Sequence, residues 1–178
     1  SGTAEVSTKW GGEQCIGGPV LTFGTTEMRE TVSAADRGKT ELRKFPVSQT
    51  ALPDGLEVSG VMAPEVRTRG IYQVLLHSTK ISMKGRFVVP PRCWAAPGDP
   101  ETLECFICVP DPKGLRTAEL RVDGQAVPLQ PGMNGTFGAW GGRGLSATLA
   151  AADWAPGAEK EFTLELVVNG SGALTFLP

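Results

Sequence analysis

Apolar and polar residues alternate with a period of two along much of the chain, most cleanly where Phe162, Leu164, Leu166 and Val168 interleave with Thr163 and Glu165. Successive side chains of an extended strand point to opposite faces, so this spacing predicts a half-buried strand with one face on a core. Asn169-Gly170-Ser171-Gly172 reads as a turn, after which Leu174 and Phe176 resume the alternation, so the chain is expected to end in a hairpin. Further back, Ile71, Leu75, Ile81, Met83, Phe87 and Val89 share odd parity, while Lys80, Lys84 and Arg86 share even parity. The polar run His77-Ser78-Thr79 divides this stretch into a second expected hairpin with His77 at its tip. Val74 and Leu76 fall on the even side, which requires a bulge or a first strand buried on both faces. Leu120 and Val122, then Asp123-Gly124, then Val127 and Leu129 predict a third hairpin, because Asp-Gly suits the positive φ angles of a type I′ turn.

Weaker strand patterns occupy Glu5 to Lys9, Pro19 to Thr25, Thr40 to Val47 and Leu56 to Met62, separated by Gly11-Gly12, Gly17-Gly18 and the polar run Ser33 to Gly38. Helical patterning is thin; the Ala-rich segment Ser146 to Trp154 alternates through Leu145, Ala147 and Leu149 and precedes Pro156, so it reads as strand then turn. Many short strands joined by Gly, Pro and Asn turns predict an all-β domain, an antiparallel β-sandwich or distorted barrel with little helix. Val89 to Glu101 carries four prolines and Gly98-Asp99 and is the one candidate seam, but composition does not shift across it, so residues 1–178 are expected to form one domain.

With 17 basic and 19 acidic side chains, net charge −2 and no basic cluster, the chain lacks the surplus that phosphate neutralisation requires, and nucleic acid is not an expected partner. Apolar runs such as Ile71 to Leu76 fall far short of the roughly 20 residues that cross a bilayer, and the opening residues do not read as a signal peptide.

Candidate chemistry is sparse, and no cofactor or metal is expected. Cys105-Phe106-Ile107-Cys108 has the spacing of redox and zinc motifs, but a strand sends positions three apart to opposite faces and no helix N-terminus is at hand to activate a thiol. Buried thiols or a structural disulfide are the expectation for Cys15, Cys93, Cys105 and Cys108; a single bridge would join Cys93 to Cys105 across the Pro97-Gly98-Asp99-Pro100 loop. His77 is the one histidine, and at a hairpin tip it would be solvated rather than part of a triad. Glu101, Glu104, Asp111 and Asp153 could supply a carboxylate pair, with nothing to single two of them out. Gly135 to Gly144 lacks the ending of a phosphate loop, and Asn134-Gly135-Thr136 and Asn169-Gly170-Ser171 read as turns before they read as glycosylation acceptors. Trp10, Trp94, Trp140 and Trp154 stand in turn-like contexts, where exposed indoles could stack on sugar rings.

The run Glu65-Val66-Arg67-Thr68-Arg69-Gly70-Ile71-Tyr72-Gln73-Val74, followed by Gly85-Arg86-Phe87, resembles the CreD family of bacterial cell-envelope inner-membrane proteins. The resemblance continues in order through Trp10-Gly11-Gly12 with Gln14 and Gly18-Pro19-Val20-Leu21, and through Asp111-Pro112-Lys113-Gly114-Leu115. It then runs through Val122-Asp123-Gly124 with Gln130-Pro131-Gly132 and Gly144-Leu145, and ends at Asn169-Gly170-Ser171-Gly172-Ala173-Leu174-Thr175-Phe176-Leu177-Pro178. Cys15, between Gln14 and Gly18-Pro19, departs from the family pattern. The resemblance implies a membrane protein whose transmembrane segments lie outside this sequence, with this chain as the first part of a region on the periplasmic face of the inner membrane. It implies a non-enzymatic role in envelope integrity and stress, through contact with an envelope protein. The alternative is a module for a lipid or glycan partner, with Trp10, Arg67, Arg69, Tyr72 and Trp140 as the binding residues. In physical terms the motif glycines and the Asp111 turn read as scaffold.

Overall fold

A computed structural model describes residues 12–32, 40–69, 71–95, 99–109, 111–132 and 143–177. The strands are β1 (Gln14–Val32), β2 (Thr40–Ala51), β3 (Gly55–Arg69), β4 (Tyr72–Val88), β5 (Thr102–Cys108), β6 (Leu115–Val122), β7 (Gln125–Val127), β8 (Gln130–Pro131), β9 (Gly144–Leu149), β10 (Glu159–Ser171) and β11 (Leu174–Leu177). A four-residue helix, α1 (Arg92–Ala95), and a 3-10 turn at Ala151–Asp153 complete the described elements. One sheet runs β11-β1-β5-β9-β8 with β2 also on β1, and the other runs β3-β4-β10-β6-β7; both stay open, so the all-β expectation resolves to a sandwich and not a barrel.

Alternation builds the core. Phe162, Leu164, Leu166 and Val168 of β10 are all buried to 2% exposure or less. Leu164 lies between Met83 of β4 and Leu120 of β6, and Leu166 pairs with Ile81. From the other sheet Ile16, Leu21, Phe23, Leu103, Cys105 and Ile107 close on the same core. Burying each such Leu, Ile or Phe contributes about 1.5–3 kcal/mol. A register shift between Gly17 and Val20, at a cis Gly18–Pro19 bond, changes the inward parity of β1 from Ile16 to Leu21 and Phe23. The Asp123-Gly124 hairpin forms as expected, with both φ angles positive (48° and 78°) and Val122 facing Gln125.

Three expectations are corrected. Residues 72–88 form one unbroken strand and not a hairpin, with β4 in continuous register against both β3 and β10. The polar residues His77 and Thr79 stand at the odd, inward positions, so they continue the alternation instead of ending it. His77 is accordingly buried at mid-strand and not solvated at a tip. Val74 and Leu76 are buried on the opposite face without a bulge, so this part of β4 is buried on both faces, while Ile71 and Leu75 are exposed. The C-terminal hairpin is absent as well: Asn169-Gly170-Ser171 continues β10, and β11 crosses to the other sheet to lie parallel to Gln14–Gly17. Cys93 of α1, within the stretch read as the candidate seam, lies inside the shared core.

Candidate functional site

Two regions stand out: a buried polar cluster at one end of the sandwich and the exposed ribbon of β3 and β4. The cluster gathers residues far apart in sequence. Gly12 N donates to Asp111 Oδ2 at 2.8 Å, Ser171 N to Gly12 O at 3.2 Å, and Asn169 N to Gly114 O at 2.7 Å. Gln14, pointing inward from β1, donates from Nε2 to Asn169 O at 3.3 Å and to Asp111 O at 3.4 Å. The Asn169 amide, oriented so that each end meets a complementary group, donates to Ser78 Oγ at 3.0 Å and accepts from Arg116 Nε at 2.8 Å. Glycines are required where these segments close: a Cβ on Gly114 would strike Asn169 O and Gln14 Nε2, and one on Gly170 would come within 2.8 Å of the His77 ring.

His77 Nδ1 lies 3.1 Å from Thr79 Oγ1, and burial holds the His77 pKa below its ordinary value. His77 Nε2 and Gln14 Oε1 are buried without a hydrogen-bond partner among the described residues. Among the described residues the imidazole has a hydroxyl beside it and no carboxylate as a hydrogen-bond partner, which is not the arrangement of a triad base. The cluster binds four stretches of the chain together, which is scaffold chemistry.

The ribbon is different in kind. Among the described residues β3 is the edge of its sheet, paired over its whole length with β4 alone. Val58, Met62 and Val66 share the face of Ile81 and Met83 but extend past the covering sheet, exposed by 38%, 47% and 61%; Val61, on the other face, is exposed by 74%. Arg67 is exposed, its Nε donating to Glu65 Oε1 at 2.7 Å. Arg69 and Tyr72 form the last pair of the β3–β4 ladder, next to Ile71, which is 90% exposed. The structure thus brings Arg67, Arg69 and Tyr72 together at one ribbon end, and Trp10 and Trp140 lie outside the described residues. The exposed apolar row on β3 is a feature that sequence reading missed; its signal, valines and a methionine spaced along a strand, is also that of a core strand.

Of the remaining candidates, Trp154 is buried and offers no stacking face, while the half-buried Trp94 packs against the core and donates from Nε1 to Trp154 O at 2.8 Å. Asp111 is spent on the turn, its Oδ1 accepting from Lys113 N at 3.1 Å. Glu101 and Glu104 share a groove of about 310 Å³ with Thr22 and Thr26 on the outer side of the β1–β5 pair, where burial raises the Glu104 pKa. All four cysteines are free thiols, with Cys93, Cys105 and Cys108 buried, so the Cys93–Cys105 bridge is not formed; burial pushes the Cys105 thiol up to about 12. Cys105 faces the core and Cys108 the opposite side, as the three-residue spacing requires. No group of three or more His, Cys, Asp and Glu suited to a metal occurs among the described residues. Nor is any helix among them long and apolar enough to cross a membrane.

Comparison with curated proteins and with solved structures gave no match. The family model for the inner membrane protein CreD matches residues 1–178, the whole of the chain, and the protein therefore belongs to the CreD family of inner membrane proteins.

Proposed function

We propose that this chain is a non-catalytic domain on the periplasmic face of the inner membrane that supports envelope integrity by pairing its open sheet edge with another protein. The observation that carries this reading is β3. An edge of 15 residues presents unpaired N–H and C=O groups along its free side, interrupted at Pro64, and exposed valines stand on both of its faces. Such edges are ordinarily shortened, covered or studded with charge, whereas the charges of β3 sit toward its ends, at Glu57, Glu65, Arg67 and Arg69. Strand addition to such an edge draws affinity from main-chain hydrogen bonds and specificity from alternate side chains. The reading requires no cofactor and no nucleic acid.

The test is a full-length protein carrying Val61→Lys and Val66→Lys, two exposed positions where the fold should tolerate charge. The variant is expected to accumulate normally and fail to restore the envelope barrier in cells lacking the parent protein. Full restoration would overturn the reading.

A further inference from the structure

We propose that β3 pairs antiparallel with β3 of a second copy of this chain, about a two-fold axis at Met62, so that two five-stranded sheets join edge to edge. The inference rests on the reading of β3 as a contact edge and names what fills it. In this register each residue faces the one equally far beyond Met62. Val58 then meets the partner's Val66, Met62 meets the partner's Met62, and Glu57 meets the partner's Arg67, each of the unlike pairs occurring twice.

Charge selects the direction and apolar matching the register. β3 carries Glu57 toward its start and Arg67 and Arg69 at its end, so a parallel pair would set like charges side by side, whereas an antiparallel pair sets opposite charges together. Moving the register two places one way puts Glu57 opposite the partner's Glu65. Moving it two places the other way puts Val58 opposite the partner's Thr68 and Met62 opposite the partner's Pro64. Only the Met62-centred register of these three aligns Val58, Met62 and Val66 into a continuous apolar row on one face. These three residues extend past the covering sheet, and the row would cover them from both copies. Pro64 has no N–H to give on the free side of β3, so the ladder bond to the partner's Gly60 is missing on each side of the axis; Gly60, without a side chain, leaves room there for the ring, and the bonds of Val58, Met62 and Val66 carry the seam. Arg67, already beside Glu65, would bridge its own carboxylate and the partner's Glu57.

The experiment is a charge swap in the full-length protein, with the dimer constant read by analytical ultracentrifugation in detergent. Each symmetric pair is disrupted twice, so Glu57→Arg alone and Arg67→Glu alone should each weaken dimerisation by about tenfold or more, and the double variant should return it to within about threefold of the parent. Met62→Cys, combined with Cys15→Ser to remove the half-exposed native thiol, should give a disulfide-linked dimer on mild oxidation. A monomer at every concentration, or a double variant no better than the singles, overturns the self-pairing. If the protein is monomeric while Val61→Lys with Val66→Lys still loses envelope function, the contact edge stands and takes a foreign strand. If dimers form as described while that variant keeps full function, the self-pairing stands and the edge reading of function falls.

Discussion

Gly85 sits near the end of β4, opposite Phe162 of β10 and Leu56 of β3. A methyl group there would point at Gly55 O and lie 2.7 Å from Phe162 Cζ and 2.8 Å from Phe162 Cε1. Carbon atoms in good contact stand about 3.5–4 Å apart, so the ring would have to withdraw by close to 1 Å. It has nowhere to go: Phe162 is 2% exposed and tilted against Phe87 at a centroid distance of 4.9 Å, and Phe87 in turn meets Trp154 edge-on at 6.1 Å. Overpacking a tight core costs about 1–3 kcal/mol, and here a backbone carbonyl is one of the crowded groups, which places the cost near the top of that range. Against it stands about 0.4–1 kcal/mol gained by restricting the unfolded chain.

The net expectation for Gly85→Ala is a loss of about 2 kcal/mol, or roughly 4–8 °C in Tm for a domain of this size. The assay is urea denaturation followed by far-ultraviolet circular dichroism, with Gly55→Ala as the control because nothing lies within 4 Å of its Cβ position. Adding Phe162→Leu to Gly85→Ala should cost less than the sum of the two single changes, because the smaller side chain makes room for the methyl. A Gly85→Ala protein within about 0.5 kcal/mol of the parent would refute the packing argument and leave the Gly85-Arg86-Phe87 motif without a scaffold explanation.

Two further outcomes follow from burial. Because burial lowers the His77 pKa in the folded state, the unfolded chain binds more protons below its ordinary value near 6.5, so this group's contribution falls as pH drops from there toward the folded-state pKa. Urea midpoints at pH 7.5 and 5.5 should differ less in His77→Gln than in the parent; an unchanged difference would show that His77 is not the titrating group. In the native protein, thiol-specific alkylation at pH 8 should modify Cys15 within minutes and leave buried Cys93, Cys105 and Cys108 untouched, with all four reactive after unfolding without reductant. Recovery of only two thiols from the unfolded chain would show that a disulfide forms.

What was legible in the sequence was local. Asp123-Gly124 dictates its own turn because two adjacent residues must reach positive φ, and β10 announces its inner face through Phe162, Leu164, Leu166 and Val168. What was not legible depends on partners far along the chain. His77-Ser78-Thr79 has the composition of a turn, yet the parity of Ile71 through Val89 is unbroken across it, which one continuous strand demands and a hairpin does not. Asn169-Gly170-Ser171-Gly172 permits a reversal, but whether the next strand folds back on β10 or crosses to Gln14–Gly17 is decided by the other sheet. Exposure along β3 is hidden for the same reason: Val58, Met62 and Val66 alternate like core residues, and only the order of strands leaves them at an edge.

The motif residues divide along this line, and the division bears on function. Gly12, Gln14, Asp111, Gly114, Asn169 and Gly170 come together at the buried end of the sandwich, where hydrogen bonds and close backbone approaches account for their identities. The Arg67-Thr68-Arg69-Gly70-Ile71-Tyr72 piece ends instead at the tip of the β3–β4 ribbon, where Arg67 is half exposed and Ile71 is 90% exposed. A core isoleucine is explained by its burial, which contributes about 1.5–3 kcal/mol; an isoleucine in water at the tip of a ribbon gains nothing of the kind from its own fold. Packing among the described residues therefore supplies no reason for that residue, whereas the contact proposed for the same ribbon, whose free edge runs along β3, would supply one.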